Sequence, residues 1–244
     1  MIGSRINDTP AAALAGARAD ASGSTVLEQA LALLRRDVLQ GTHEPGAKLK
    51  LDELQATYGF SSSPLREALN RLAQEGLVRA DERRGFRVAA VSEADMDDIT
   101  RMRLMLDVPA LRDAIAHGDD QWEAAIVAAS HRLERLELRL PDGPALLGDD
   151  WSAVHRHFHM CLLAACTSER QLAWSASLFD QAERYRRISA RHRQIPRRKH
   201  DEHKRLMGAT LKRDAETACA LLEDHILGTQ RNVQAALRKL AGAG

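Results

Sequence analysis

The sequence predicts a mainly α-helical protein with one short β-hairpin, arranged as a small N-terminal unit followed by an all-helical bundle. Three observations predict it. Apolar residues recur at helical spacing over nearly all of the chain beyond Thr25. Extended candidates are confined to Leu77–Ala80 and Gly85–Val88, on either side of the polar run Asp81-Glu82-Arg83-Arg84. Glycine and proline fall between the periodic segments, at Gly41, Gly59, Gly76, Pro141, Gly143, Pro144 and Pro196. The division that follows is a disordered tail over 1–24, a first domain over 25–91 and a second, all-helical domain over 92–240.

Met1 to Gly23 mixes Ala, Gly, Ser and Asp with Arg5 and Arg18 and has no bulky apolar block. It reads as a tail rather than a signal peptide. The first helix starts near Thr25, carries Val26, Ala30, Leu33, Leu34 and Val38 on one side, and stops at Gly41. After the Glu44-Pro45-Gly46 turn, Leu51, Leu54 and Tyr58 line a short second helix closed by Gly59. Phe60-Ser61-Ser62-Ser63 is a tight connection. Pro64 suits the first turn of a third helix, Ser63 is placed to cap it, and Leu65, Leu69 and Leu72 are its buried stripe. The hairpin follows Gly76. Beyond Ser92 six helices are expected, near 93–117, 120–139, 148–167, 169–190, 197–212 and 214–240.

Bulk properties narrow the functional classes. The 244 residues are 44% hydrophobic and 28% charged, with a net charge of +1, so charge alone neither announces nor excludes nucleic acid. Cys161, Cys166 and Cys219 are odd in number and match no zinc spacing or disulfide framework. No stretch approaches the roughly 18 apolar residues of a membrane span, and a cytoplasmic protein is expected. Phosphate loops, H-E-x-x-H and a poised nucleophile are absent from the sequence.

Helix, short helix, tight turn, helix and hairpin is the order of a winged helix-turn-helix, whose third helix enters the major groove. The residues at its leading end are Ser61, Ser62, Ser63 and Arg66, and the hairpin tip brings Arg83, Arg84 and Arg87 around Gly85. Arg66 can grip guanine with two hydrogen bonds or contact a phosphate; the serines suit phosphates or weak base contacts. Such units work as symmetric pairs on double-stranded DNA, so a homodimer on an inverted-repeat operator is expected.

In the second domain, His155 and His159 are four apart and share one helix face, while His157 points away. His203 and His225 lie beside apolar residues on two later helices. Imidazoles converging from three helices can hold a divalent ion; ordinary surface or core histidines are the alternative. Arg103, on the first helix of this domain, is the candidate partner for an effector carboxylate, with an ordinary interhelical salt bridge as the other reading. The arginines between Arg184 and Arg205 are expected to face solvent, with Arg186 or Arg187 turned inward toward an acid as the other reading. A helical-bundle metalloenzyme is the rival function, and it lacks the paired Glu-x-x-His motifs of di-iron bundles.

Residues 41–91 resemble the DNA-binding domain of the GntR family. The matching segments are G-x-x-x-P-G from Gly41, S-x-x-P-L-R-E-A-L-x-R-L-x-x-E-G-L-V from Ser61, and R-G-F-x-V from Arg84. Asp95 to about Leu240 resembles the FCD ligand-binding domain of the FadR-like branch, through R-x-x-L-D from Arg103, F-H at Phe158-His159, and H-x-x-L-x-x-A-x-x-x-x-D-x-x-x-A-x-x-x-L-x-x-H-I from His203. The resemblance implies a ligand-responsive regulator, a repressor sensing a small carboxylate, with metal-binding histidines at His159, His203 and His225. Two departures stand out. The family's usual guanine-reading arginine is replaced by Ser62, and the acidic ligand four residues before the F-H histidine is His155. Four neutral nitrogen ligands leave the ion's double charge uncompensated and favour Zn²⁺, with Ni²⁺ second, over hard cations.

Overall fold

A computed structural model describes residues 24–81, 85–140, 147–192 and 199–242. The expected N-terminal tail and the wing tip with Arg83 and Arg84 lie outside the described residues.

The head begins with helix α1, Val26–Gln40. Thr25 and Glu28 form a reciprocal capping box at its start, and Gly41, at φ 75°, closes it in the left-handed conformation that glycine adopts without a Cβ clash. Strand β1 (Lys48–Leu49) leads into α2 (Leu51–Tyr58) and α3 (Ser62–Gln74). Strands β2 (Val78–Asp81) and β3 (Gly85–Val88) complete an antiparallel sheet of order β1-β3-β2. Leu34, Leu65, Leu69, Leu72 and Leu77 are fully buried in the core of this unit, with Phe86 of the wing against them.

Two details differ from the sequence reading. The wing has a third strand, because Lys48 and Leu49 pair with Arg87 and Phe86. The cap of α3 is Ser61, not Ser63. Ser61 is extended (φ −71°, ψ 166°), whereas Ser63 already lies inside the first turn.

The second unit consists of α4 (Glu93–His117), α5 (Asp120–Glu137), α6 (Asp149–Leu163), α7 (Glu169–Arg191), α8 (Lys199–Leu211) and α9 (Ala215–Gly242). Ser92, Asp119 and Ser168 cap three of these helices by accepting from backbone N–H groups. Ala110, Leu111, Ile126, Phe158, Leu162, Leu222 and Ile226 form the main core between them. None of the helices among the described residues is long and apolar enough to cross a membrane.

Helix α7 is the principal seam between the units. Arg184 Nη1 donates to Ala89 O at 2.7 Å on the connecting segment, and Tyr185 OH donates to Asp95 Oδ2 at 2.6 Å while accepting from Ser92 N at 3.1 Å. Arg191 Nη2 donates to Gln40 O at 2.6 Å, at the end of α1. A cavity of about 520 Å³ remains between α1 and helices α6 and α7, lined among others by Arg36, Leu39, Ala153 and Phe179.

Candidate functional site

The exposed surface of the head is set by the leading end of α3. Ser61, Ser62, Ser63 and Arg66 all face outward, because the helix spends Leu65, Ala68, Leu69 and Leu72 on the core. Ser62 Oγ donates to Gln55 Oε1 at 3.1 Å, tying the turn to α2. Gly85 is exposed at φ 83° where β3 begins. Arg84 lies outside the described residues.

The third strand adds a feature that sequence reasoning missed. Lys48 stands opposite Arg87, and Arg87 opposite Arg79, so three exposed cations share one row across the wing. Like charges directly opposite one another on a sheet repel, so the row does not stabilise the wing. Of the three, only Arg87 was singled out from the sequence; Arg79 and Lys48 join it through strand pairing.

The second site lies in the bundle. His155 and His159 come from α6, His203 from α8 and His225 from α9; each is at most 6% exposed. Their ligand atoms lie within 4.8 Å of one another. His155 Nε2 and His159 Nε2 are 3.2 Å apart, and the ring centroids of His203 and His225 are 4.9 Å apart. His157 is exposed on the opposite face of α6.

This donor set fits a divalent ion. A tetrahedral site with Zn–N distances of ~2.0–2.1 Å places its donors about 3.4 Å apart, which small ring movements here would reach. His203 Nε2 is buried and has no hydrogen-bond partner among the described residues. A lone buried nitrogen of this kind is costly unless a cation takes its lone pair. Burial, followed by the neighbouring His225, His203, Arg103 and Arg186, holds the His159 pKa well below the ordinary histidine value, which keeps its ring in the neutral form that metals bind.

Two carboxylates absent from the sequence reading support the cluster. His203 Nδ1 lies 3.2 Å from Glu137 Oε1, and His225 Nδ1 lies 2.9 Å from Glu202 Oε2. A carboxylate on Nδ1 fixes the tautomer that offers Nε2 to a metal. These acids also revise the expectation of an uncompensated double charge: the ligands are neutral, but two negative groups stand immediately behind them.

Arg103 is buried beside the cluster. Its Nε donates to Asp107 Oδ2 at 2.9 Å, and its guanidinium carbon is 5.1 Å from the Phe179 ring centre. The cavity it shares with Asp107, His159, Met160, Leu162, Leu163 and Leu222 is only about 10 Å³, room for about one water. The arginines of α7 overturn the expectation of solvent exposure, and Arg186 and Arg187 follow the other reading, in which they turn inward toward an acid. Arg184, Arg186 and Arg187 are buried, and Glu183, itself buried, accepts from Arg186 Nε at 2.8 Å and Arg187 Nε at 3.1 Å. The sequence put these cations on an amphipathic helix; Arg184 packs against the connecting segment at Ala89, Arg186 over the Phe179 ring and Arg187 against α6.

Comparison with known proteins agrees with both halves of this architecture. Residues 27–88 match the model for bacterial regulatory proteins of the gntR family, and residues 98–228 match the FCD domain. The chain is 37% identical over 202 residues to the HTH-type transcriptional regulator BphR of Paraburkholderia xenovorans, covering 83% of this chain and 82% of that protein. It is 36% identical over 198 residues to the HTH-type transcriptional repressor GlaR of Escherichia coli, covering 80% and 89%. Among solved structures, E. coli McbR/YncC has the same fold, with a TM-score of 0.70, 20% identity and coverage of 89% of this chain and 100% of that one. The relatives are transcriptional regulators, not enzymes. A DNA-binding head of this pattern joined to this helical bundle makes the chain a member of the GntR family of transcription regulators, in its FadR-like branch with a C-terminal FCD domain.

Proposed function

We propose that this regulator is a repressor that senses a small organic acid through a metal-containing pocket in its FCD domain. The observation that carries the reading is the convergence of four buried imidazoles beside a buried arginine, in a chain whose other end presents an exposed helix and a row of cations. His155, His159, His203 and His225 would hold the ion, Zn²⁺ in the first place and Ni²⁺ in the second. Bound there, the ion would supply a Lewis-acidic partner for a carboxylate, with Glu137 and Glu202 offsetting part of its charge. Arg103 supplies the second positive group, and the effector must compete with Asp107 for it. A cavity of about 10 Å³ holds no organic acid, so effector binding has to move the side chains around it. That requirement links occupancy to shape, as a switch demands.

On the DNA side, Ser61, Ser62, Ser63 and Arg66 would meet the major groove, and Arg84 and Gly85 the backbone or minor groove. With Ser62 in place of an arginine, one bidentate guanine contact worth about 1–3 kcal/mol of discrimination is missing, and Arg66 carries more of the readout. The operator therefore differs from the family's guanine-centred half-site. The active species is a homodimer on an inverted repeat. The name of the E. coli relative, a repressor, supports the sign of regulation.

The test has two arms. Protein purified without an affinity tag is expected to contain close to one metal per chain by elemental analysis, and to shift its own upstream DNA in preference to unrelated duplex. Metal-free protein whose melting temperature ignores Zn²⁺ and Ni²⁺ would remove the metal pocket; equal binding to any duplex would remove the operator.

A further inference from the structure

Phe179 of α7 rests against the histidine centre, with its ring centre 5.5 Å from that of His155 and 5.3 Å from that of His159. Arg186 lies over the same ring at 3.9 Å and donates through Nη2 to Phe179 O at 2.8 Å. Its Nε reaches Glu183, whose other oxygen accepts from Arg187 and from Ser152. Arg187 Nη2 continues to Asp149 Oδ1 at 3.0 Å, and Asp149 accepts from the side chain of Gln40, the last residue of α1. Arg191 holds the carbonyl of the same Gln40. The seam extends to α3 as well. A Cβ on Gly76, just past the end of that helix, would lie 2.9 Å from the Gln181 side chain.

One helix thus carries, within four turns, the ring that touches the centre and the groups that hold the head. Glu183 is the middle of the chain, and removing its charge would leave two buried guanidinium groups without their shared anion. A buried network of this kind shifts as a unit because no member can leave its partner cheaply.

We propose that α7 transmits the state of the histidine centre to the DNA-binding head, through Phe179, Arg186, Glu183, Arg187 and Asp149 to Gln40. The proposal rests on the reading that the centre binds a metal. A ligand that reorients the His155 and His159 rings as it takes their nitrogens moves the surface on which Phe179 sits, and the ion chain carries that displacement to the end of α1.

Hydrogen exchange on the full-length protein, stripped of metal and then given Zn²⁺ alone, tests it. In the wild type, Zn²⁺ is expected to slow exchange in α6 and α8 around the centre and, by about fivefold or more, in the last turn of α1. Glu183→Gln should keep the protection at the centre and lose it in α1. Because that variant alters a buried group, the exposed end of the chain offers a second: Gln40→Ala combined with Arg191→Ala should give the same split. Protection of α1 that survives in the double variant, or wild-type α1 that ignores Zn²⁺ while the centre responds, would overturn the coupling alone. No protection at the centre would remove the metal reading and the coupling with it.

Discussion

His225 and Glu202 show how much a single contact decides in the bundle. The imidazole is buried, and the carboxylate 2.9 Å from its Nδ1 leaves Nε2 as the atom that faces the other rings. Replacing Glu202 by Gln keeps the shape but removes the charge that makes the ring a better donor. The expected result is a 10–100-fold loss of Zn²⁺ affinity with the fold intact, measured by competition with a chromogenic chelator. Unchanged affinity would mean that the carboxylate serves only the packing of α8 against α9. Neither acid was visible as a partner in the sequence. Glu202 adjoins His203, yet it serves His225, and Glu137 lies on a different helix from the histidine it orients. Spacing along one helix exposed the His155–His159 pair; the acids depend on how separate helices pack. Arg103 is an intermediate case. A salt bridge was expected between helices, whereas the structure forms it within one helix, to Asp107 at i,i+4, and buries it beside His159.

At the scale of elements, the helices were legible and the edges were not. The six helices beyond Ser92 follow from a 3.6-residue apolar period broken by Gly and Pro, and the structure places them within a few residues of the expected bounds, apart from the end of α6 at Leu163. Strand β1 was missed because two residues show no alternation, and its pairing is supplied by β3 rather than by its own pattern. That strand matters for binding, since it brings Lys48 beside Arg87. Arg87 is the middle of the row, and its Nη1 also donates to Gly46 O at 3.2 Å. If the row meets phosphates, Arg87→Ala should weaken binding to operator and to random DNA by similar factors. It should also lower the slope of log affinity against log salt by about one. A variant that loses operator binding alone, with its salt slope unchanged, would instead place Arg87 on a base.

Over the whole molecule, the least legible feature was the burial of three arginines on α7. Charged residues on an amphipathic helix ordinarily face water, and groups that only the packing supplies reverse that here: the carbonyl of Ala89 for Arg184, the Phe179 ring for Arg186, and Asp149 and Ser152 of α6 for Arg187. For Arg186 and Arg187 the cost of burial is offset by Glu183. Burial itself works against ionisation of this carboxyl, but Arg186, the Ser152 hydroxyl and Arg187 outweigh it and hold the pKa below the ordinary glutamate value. A carboxyl whose pKa is lower in the folded than in the unfolded chain contributes stability that is complete above the unfolded value, near 4.5, and is lost as pH falls through the folded one. Glu183→Gln is therefore expected to cost about 3–5 kcal/mol at neutral pH, as loss of one partner from a buried ion network does. The gap between variant and wild type should close in acid, where a protonated Glu183 and a glutamine are nearly the same group. Urea unfolding of the metal-free proteins at stepped pH from 7 to below 4 measures it. Taking the difference between the two proteins cancels the titration of the histidines they share, so a gap that stays constant across that range would show that the ion chain does not hold the two units together.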